Sequence, residues 1–345
     1  MPDVTILGAG IFGLSVAWAC QRRGARVAVI DPHGVAAGAS GGVVGALAPH
    51  VPEGWTAVKE FQFRSLIMAE AFWAEVADAG GGDPGYGRLG RLQPVVDAAA
   101  LARAGDRATR AATLWQGRAV WQVIAADEAG GWAPESPTGW LIHDDLSARL
   151  HPRRACAALA AAIRARGGAI RSEGQPRGAV VDATGAAGLA ALTAAMGREM
   201  GRGIKGQAVL LALDRRAAPQ IYADGLHVVP HADGSTSIGS TTERDYADPV
   251  TTDAQLDAVI SRARAAVPAL GDAPVIERWA GLRPRSRSRA PVLGAHPLRP
   301  GAFIANGGFK IGFGVAPMVG EAMADLVLEG CGDAIPEGFR PEAAL

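Results

Sequence analysis

The first 31 residues constrain this chain more than any other stretch. An apolar run, Val4–Leu7, enters Gly8-Ala9-Gly10-Ile11-Phe12-Gly13, followed by an amphipathic stretch over 14–23 that ends at Gly24 and a second strand-like run over 26–30 that ends on Asp31. Strand, glycine turn, helix, strand and acid, with the acid about 20 residues beyond the turn, is the dinucleotide-binding arrangement. Each position has a physical task there. Gly8 permits a tight turn, Gly10 lets the backbone approach a pyrophosphate, and Gly13 permits close packing of helix on strand. The helix N-terminus at Ile11 and Phe12 supplies N–H donors and a positive dipole, and Asp31 accepts hydrogen bonds from a ribose diol. A bare GxGxxG also joins strands to helices in proteins that bind nothing, so the surrounding order of elements carries the weight.

Length and composition set the frame around that unit. At roughly 100–200 residues per domain, 345 residues predict two folding units or one large α/β unit. Hydrophobic residues at 49% against 20% charged exclude a disordered chain. Lys+Arg 34 balances Asp+Glu 34, so no global field draws in nucleic acid or an anionic membrane, and such a partner would need a local patch. The three cysteines, Cys20, Cys156 and Cys331, are far apart and odd in number, which excludes a disulfide framework and a CxxC pair. No secretory signal precedes the first strand, and no apolar window reaches the roughly 18 residues of a membrane span. A cytoplasmic protein without a membrane span is expected.

The fingerprint alone does not separate NAD from FAD, because both present the same ADP half. The next segment does. Residues 38–49, Gly38-Ala39-Ser40-Gly41-Gly42-Val43-Val44-Gly45-Ala46-Leu47-Ala48-Pro49, form a small-residue loop where nicotinamide dehydrogenases usually continue into a helix. With this loop the chain resembles the D-amino-acid oxidase, or glycine/sarcosine oxidase, family of flavoproteins, whose GAS-type loop wraps the FAD diphosphate and flavin. Further segments match in order: Ala179-Val180-Val181-Asp182-Ala183-Thr184-Gly185; Gly203-Ile204-Lys205-Gly206-Gln207; Gly281-Leu282-Arg283-Pro284 with Ala290-Pro291-Val292-Leu293-Gly294; ANGGFKIGFGVAP over 305–317; and Phe339-Arg340-Pro341-Glu342.

The resemblance implies an α/β fold in which an FAD-binding Rossmann-like (GR2-type) domain is interleaved with a smaller antiparallel-sheet substrate domain. The segments 1–85, 146–205 and 280–345 then form the FAD domain, and 86–145 and 206–279 the substrate domain. Periodicity agrees, with a helix expected over Phe61 to Val76, a strand-rich stretch from Arg88 with Leu89, Leu92 and Val95 followed by an Ala/Arg-rich helix to about Leu114, and a helix over 152–166 with Pro152 near the start; strands are expected over 207–213 and 226–239. Relatives usually carry a three-stranded excursion between the helix ending at Arg166 and the strand at Ala179; here only a short polar stretch is present.

By the same resemblance, FAD is bound non-covalently by Gly8, Gly10, Ile11, Phe12, Gly13, Asp31, Ala39, Ser40, Gly45, Ala46, Leu47, Thr184, Gly185, Gly308, Phe309, Lys310, Ile311 and Gly312. Arg283 matches the arginine that grips a substrate carboxylate with a bidentate fork, against the plain reading of a surface arginine in the run Arg283, Arg285, Arg287, Arg289. His227 stands where relatives often place a tyrosine facing that carboxylate. The HxxxH spacing of His227 and His231 lies in a strand-like sequence, so no metal site is expected. Lys310 aligns with a basic residue near the flavin pyrimidine, against the reading of a lysine pointing to water. An acidic residue usual in the stretch Ser286-Arg287-Ser288 is missing, which implies a more anionic substrate. Trp115, Trp121, Trp132 and Trp140 are expected in the core of the substrate half.

The expected activity is FAD-dependent oxidation of the C–N bond of an amino acid or N-substituted glycine, by hydride transfer to flavin and hydrolysis of the imine, with oxygen or another acceptor closing the cycle. The partner is a small-molecule amine. Two alternatives are an FAD-dependent tRNA wobble-uridine modification oxidoreductase, against which the neutral charge balance argues, and a non-catalytic FAD-binding protein.

Overall fold

The computed structural model describes residues 1–344, in which the strands and helices below are numbered in chain order. The first sheet has the order β15-β16-β9-β1-β2-β8. Its strands Val4–Leu7 (β1), Val27–Ile30 (β2), Ala169–Arg171 (β8), Ala179–Asp182 (β9) and Ala302–Asn306 (β16) run parallel, and Val292–Ala295 (β15) closes one edge antiparallel. The path from β1 goes first to β2 on one side and later to β9 on the other. That reversal leaves a crevice at the carboxyl ends of β1 and β9, the place where open α/β sheets bind ligands.

Four helices pack together beside this sheet: Ile11–Arg22 (α1) lies against Gly312–Glu329 (α7), and Ala57–Gly80 (α2) lies against both α7 and Pro152–Ala165 (α4). Every residue of α1 from Ile11 to Cys20 is buried, including Ser15. The helix is therefore enclosed on all sides, where its sequence reads as amphipathic, because α7 and α4 cover what would have been its outer face. Local chemistry fixes the ends of α2. The Thr56 hydroxyl accepts from the Lys59 N–H at the start, and Gly81 takes the left-handed conformation at the stop.

The second sheet has the order β14-β10-β13-β12-β11-β4-β6-β5. It comprises Val275–Ser286 (β14), Gly201–Leu211 (β10), Thr236–Gly239 (β13), Leu226–Pro230 (β12), Gln220–Ala223 (β11), Arg91–Pro94 (β4), Trp140–Asp144 (β6) and Trp121–Ala125 (β5). Its pairings are antiparallel except β11 with β4, which run parallel. Gly185–Met196 (α5) contacts β10 and β14, Ala98–Leu114 (α3) packs on β5, and Ala254–Ala266 (α6) packs on β10. β10 and β14 are continuous strands, so the segment boundaries at 205/206 and 279/280 fall inside them. Of the four tryptophans expected in this half, Trp115, Trp121 and Trp132 are buried, whereas Trp140 is 42% exposed at the start of β6.

The two sheets are joined by the loop that follows β2. Its short strand Ala46–Leu47 (β3) pairs with Ala148–Arg149 (β7), and the buried Gln220 amide of β11 donates to the carbonyl of Ala148 at 2.9 Å. Val43 and Val44 pack with Ala208, Leu210 and Trp279 of the second sheet. Arg153 of α4 donates to the carbonyl of Gly41 and pairs with Glu277 of β14 at 2.6 Å. The final short helix, Pro341–Ala344 (α8), lies against β15. Among the described residues, no helix is long and apolar enough to cross a membrane.

Candidate active site

At the carboxyl ends of β1, β9 and β16 the chain makes three turns that interlock. Gly8 has φ +105°, and a Cβ there would lie 2.4 Å from the carbonyl oxygen of Ala183, so only glycine fits between β1 and β9. A Cβ on Gly13 would fall 2.0 Å from the carbonyl oxygen of Gly8. Gly10 is different: a Cβ there would meet only the Ser40 hydroxyl, at 3.2 Å, and otherwise open space. Beside it the Ile11 N–H donates to Ser40 Oγ at 3.0 Å, and no side chain caps α1 at Gly10.

The neighbouring turns complete the crevice. Asp31 holds the first turn through its carboxylate, which accepts from the Ala9 N–H at 2.8 Å and the His33 N–H at 2.9 Å. The Thr184 hydroxyl donates to Asp182 at 2.6 Å, and the Asn306 amide donates to the carbonyl of Gly185 at 3.0 Å. Gly185 opens on empty space, and a Cβ on Gly312 would have only Ile11 Cγ2 near it, at 3.8 Å. The N-terminus of α7 thus stands next to that of α1, and α7 also has no side-chain cap. Two uncapped helix N-termini direct N–H groups and positive dipole ends into one crevice. Gly308 sits on the Phe12 ring, where a Cβ would be 2.9 Å from Phe12 Cζ.

On the side of the crevice formed by the second sheet stands Arg283 of β14. Its Nη1 donates to Ser240 Oγ at 2.7 Å and its Nη2 to the carbonyl of Thr241 at 2.6 Å, while its buried Nε has no partner. Gly206 on the adjacent strand leaves the room, since a Cβ there would be 2.7 Å from the guanidinium carbon. Burial pulls the Arg283 pKa down to about 10, with the Glu243 charge opposing. No carboxylate hydrogen-bonds this guanidinium among the described residues; its partners are neutral oxygens.

Phe309, at φ +37°, is the hub of this side. The Arg283 guanidinium lies 5.5 Å from its ring centroid and the Lys310 ammonium 5.7 Å. Lys310 is exposed overall, and its pKa is lowered by partial desolvation of the ammonium and then by the charge of Arg283. His227 faces Tyr222 across the β11–β12 pair, with ring centroids 4.8 Å apart. Its pKa falls to about 3 through burial, then the positive charges of Arg91 and Lys310, and its buried Nδ1 has no partner. Arg283, Lys310 and His227 therefore share one electrostatic neighbourhood. His231, the other histidine of the HxxxH spacing, instead contacts the carbonyl of Val43 at 2.9 Å and the ring of His151.

Residues 3–326 match the family described as DAO: FAD dependent oxidoreductase. The chain belongs to this family. Among similar proteins of this DAO family, the glycine oxidase of Geobacillus kaustophilus is 26% identical over 94% of this chain and 92% of its own. The bifunctional protein ThiO/ThiG of a Nostoc species is 26% identical over 98% of this chain, which spans only 54% of that protein's length. Among solved structures, an iminodiacetate oxidase from a Chelativorans species superposes with TM-score 0.85 at 24% identity over 98% of both chains, which shows the shared fold.

FAD is the cofactor of the DAO family, and the crevice suits it. The glycines facing the crevice, Gly10, Gly185 and Gly312, have room where a Cβ would stand, whereas Gly8 and Gly13 behind them have none. A ligand occupying that space meets the ends of both helices, the chemistry a diphosphate requires. Ala39 and Ser40 lie on a single 3-10 turn at its edge; a Cβ on Gly45 would fall 1.7 Å from the carbonyl oxygen of Leu150, and Ala46 and Leu47 are held by the pairing with β7. Cys20 and Cys156 are buried thiols pushed up to about 12 by burial, and Cys331 lies beyond the far end of α7.

Several residues of this site escape sequence reading. Ser240 and Thr241 hold Arg283, and behind them Gln207 joins Glu243 at 3.0 Å and Asp253 at 2.8 Å, with the buried Lys205 ammonium 3.6 Å from Glu243. Gly206 inside a strand was the available signal, because a strand glycine often marks a close approach. His50 is tied through its N–H to Gln62 at 2.8 Å, which makes it a packed residue beside the loop.

Proposed function

We propose that this chain oxidises the C–N bond of a carboxylate-bearing amine, an amino acid or an N-substituted glycine. The observation that carries this reading is Arg283, a largely buried guanidinium with only neutral acceptors and an unpartnered Nε. A buried cation without an anionic partner is costly, and a ligand carboxylate received by the fork supplies both charge and hydrogen bonds. The glycine oxidase relative supports the same class of substrate.

When bound, FAD supplies the two-electron acceptor for the hydride of the amine-bearing carbon. The substrate loses that hydride and its N–H proton, and water hydrolyses the resulting imine to a carbonyl compound and an amine. The protein's part is orientation. Arg283 fixes the carboxylate and Phe309 walls the site. His227, neutral at physiological pH because its pKa is about 3, offers a hydrogen bond without acting as an acid. Lys310 and the N-terminus of α7 place positive charge on the cofactor side. FAD is held non-covalently by the turns at Gly8–Gly13, Asp31, Ala39–Leu47 and Thr184–Gly185 and by the segment Gly308–Gly312.

The test is anaerobic bleaching of the purified yellow protein by glycine, sarcosine, proline and a set of D-amino acids. Bleaching by one or more is the expected result, with the colour released by acid precipitation. A yellow protein that no amine bleaches refutes the reading.

A further inference from the structure

Charge is unevenly distributed over this formally neutral chain. Five arginines, Arg202, Arg244, Arg285, Arg287 and Arg289, line one open cavity of about 300 Å³ with a single carboxylate, Glu199. Arg202 takes that carboxylate at 2.9 Å. Among the described residues, Arg244, Arg285 and Arg289 form no ion pair. The side chain of Arg285 is set against like charges, since after burial the groups that lower its pKa are Arg289, Arg244 and Arg202. Guanidinium groups gathered in this way repel one another, and an anion among them relieves the repulsion while gaining charge-assisted hydrogen bonds.

The cavity adjoins the proposed substrate site. Arg283 and Arg285 are two residues apart on β14, which places them on one face of the strand. Both guanidinium groups lie near the same Phe309 ring, at 5.5 Å and 6.0 Å from its centroid. The cation that anchors a carboxylate and the first cation of the cluster are therefore neighbours across one aromatic ring. A single small molecule with two anionic groups several bonds apart reaches both. A volume of about 300 Å³ has room for one such group.

We propose that Arg285, with Arg244 and Arg289, forms a second anion subsite, so that the preferred substrate is a small amine carrying an outlying carboxylate or phosphate beyond the carboxylate held by Arg283. This rests on the carboxylate-anchored reading of the site. The predicted consequence is a preference for two acids over one. It belongs to ligand binding, and it can be read without turnover.

The experiment titrates the FAD-loaded protein at low salt with straight-chain diacids of three to seven carbons and with the monocarboxylic acids of the same lengths, by calorimetry and by perturbation of the flavin spectrum. At least one diacid should bind about tenfold more tightly than its monoacid partner. Arg285→Gln and, separately, Arg289→Gln should reduce that ratio to about twofold or less, whereas Arg283→Gln should weaken both acids. A second arm follows anaerobic flavin reduction by N-(carboxyalkyl)glycines against N-alkylglycines of matched length. Equal binding of diacids and monoacids across the series, with both amines reducing the flavin equally well, overturns the subsite and leaves the amine reading intact. Amines that leave the flavin oxidised, with the diacid preference still present and lost in Arg285→Gln, overturn the amine reading and support the subsite. A bulk tRNA preparation that displaces the best diacid, binds more tightly than it and weakens steeply with salt makes the cluster a nucleic-acid surface and overturns the proposal.

Discussion

Arg283 is held by Ser240 Oγ and the carbonyl of Thr241, contacts that fix a planar fork and leave one N–H free. Lysine carries the charge without the fork, so Arg283→Lys should weaken carboxylate-bearing ligands by about 2–3 kcal/mol while FAD content stays at the wild-type level. Spectral titration of the bound flavin gives both quantities. Lys310→Met should lower the midpoint potential of the flavin, because a cation beside the ring favours the negative charge that reduction places there. Since Lys310 is exposed, a shift of about 15–30 mV is expected for a two-electron couple, read by redox titration. The histidines act on stability in the opposite sense to a paired group. His231 is buried and its pKa is lowered to about 4 by burial and then by the His151 charge, so the unfolded chain takes up a proton that the folded chain refuses. Stability is unaffected above the unfolded value near 6.5 and falls as the pH drops from there toward about 4. Between pH 7 and pH 5 this group alone should cost about 1–2 kcal/mol, and His231→Gln should flatten the dependence of urea midpoints on pH.

At the scale of elements, the turn between β1 and α1 divides its glycines by task. Gly13→Ala places a Cβ 2.0 Å from the carbonyl oxygen of Gly8, so the helix must move off the strand and folding should suffer. Gly10→Val meets only the Ser40 hydroxyl, at 3.2 Å from the new Cβ, and otherwise open space, so with a small shift of that side chain this variant should fold with normal circular dichroism yet purify colourless. That unit was legible in the sequence because every one of its signals is local: a short apolar run, glycines at fixed offsets, and an acid at the end of the next strand. The elements α2, α3 and α4 were legible for the same reason, through periodicity and terminal residues. What sequence did not reveal is long-range. The partners of Arg283 come from a segment more than 40 residues away, and the network of Lys205, Gln207, Glu243 and Asp253 joins three separate stretches with no periodic signature. Trp140 reads as core from its type alone, but it is the first residue of β6 and is 42% exposed. Resemblance, and not spacing, singled out Arg283, His227 and Lys310; the structure places them around one crevice.

At the scale of the whole molecule, the site depends on how two sheets meet. The parallel sheet offers a crevice at its switch point, with two helix N-termini in it, and the second sheet presents Arg283 across that crevice. The loop after β2 lies between them, fixed by the β3–β7 pair, Gln220 and the Arg153–Glu277 bridge. The central claim is that this junction aligns a carboxylate-bearing amine with FAD through Arg283. Its most direct test is the anaerobic reductive half-reaction measured with matched amines, N-methylglycine and other N-alkylglycines against the corresponding N-alkylethanolamines, which replace the carboxylate with an alcohol. The expected result is flavin reduction by at least one of the acids, reduction slower by about 100-fold or more with its alcohol, and loss of most of that difference in Arg283→Lys. Equal reduction by acid and alcohol, or an unchanged preference in Arg283→Lys, would contradict it.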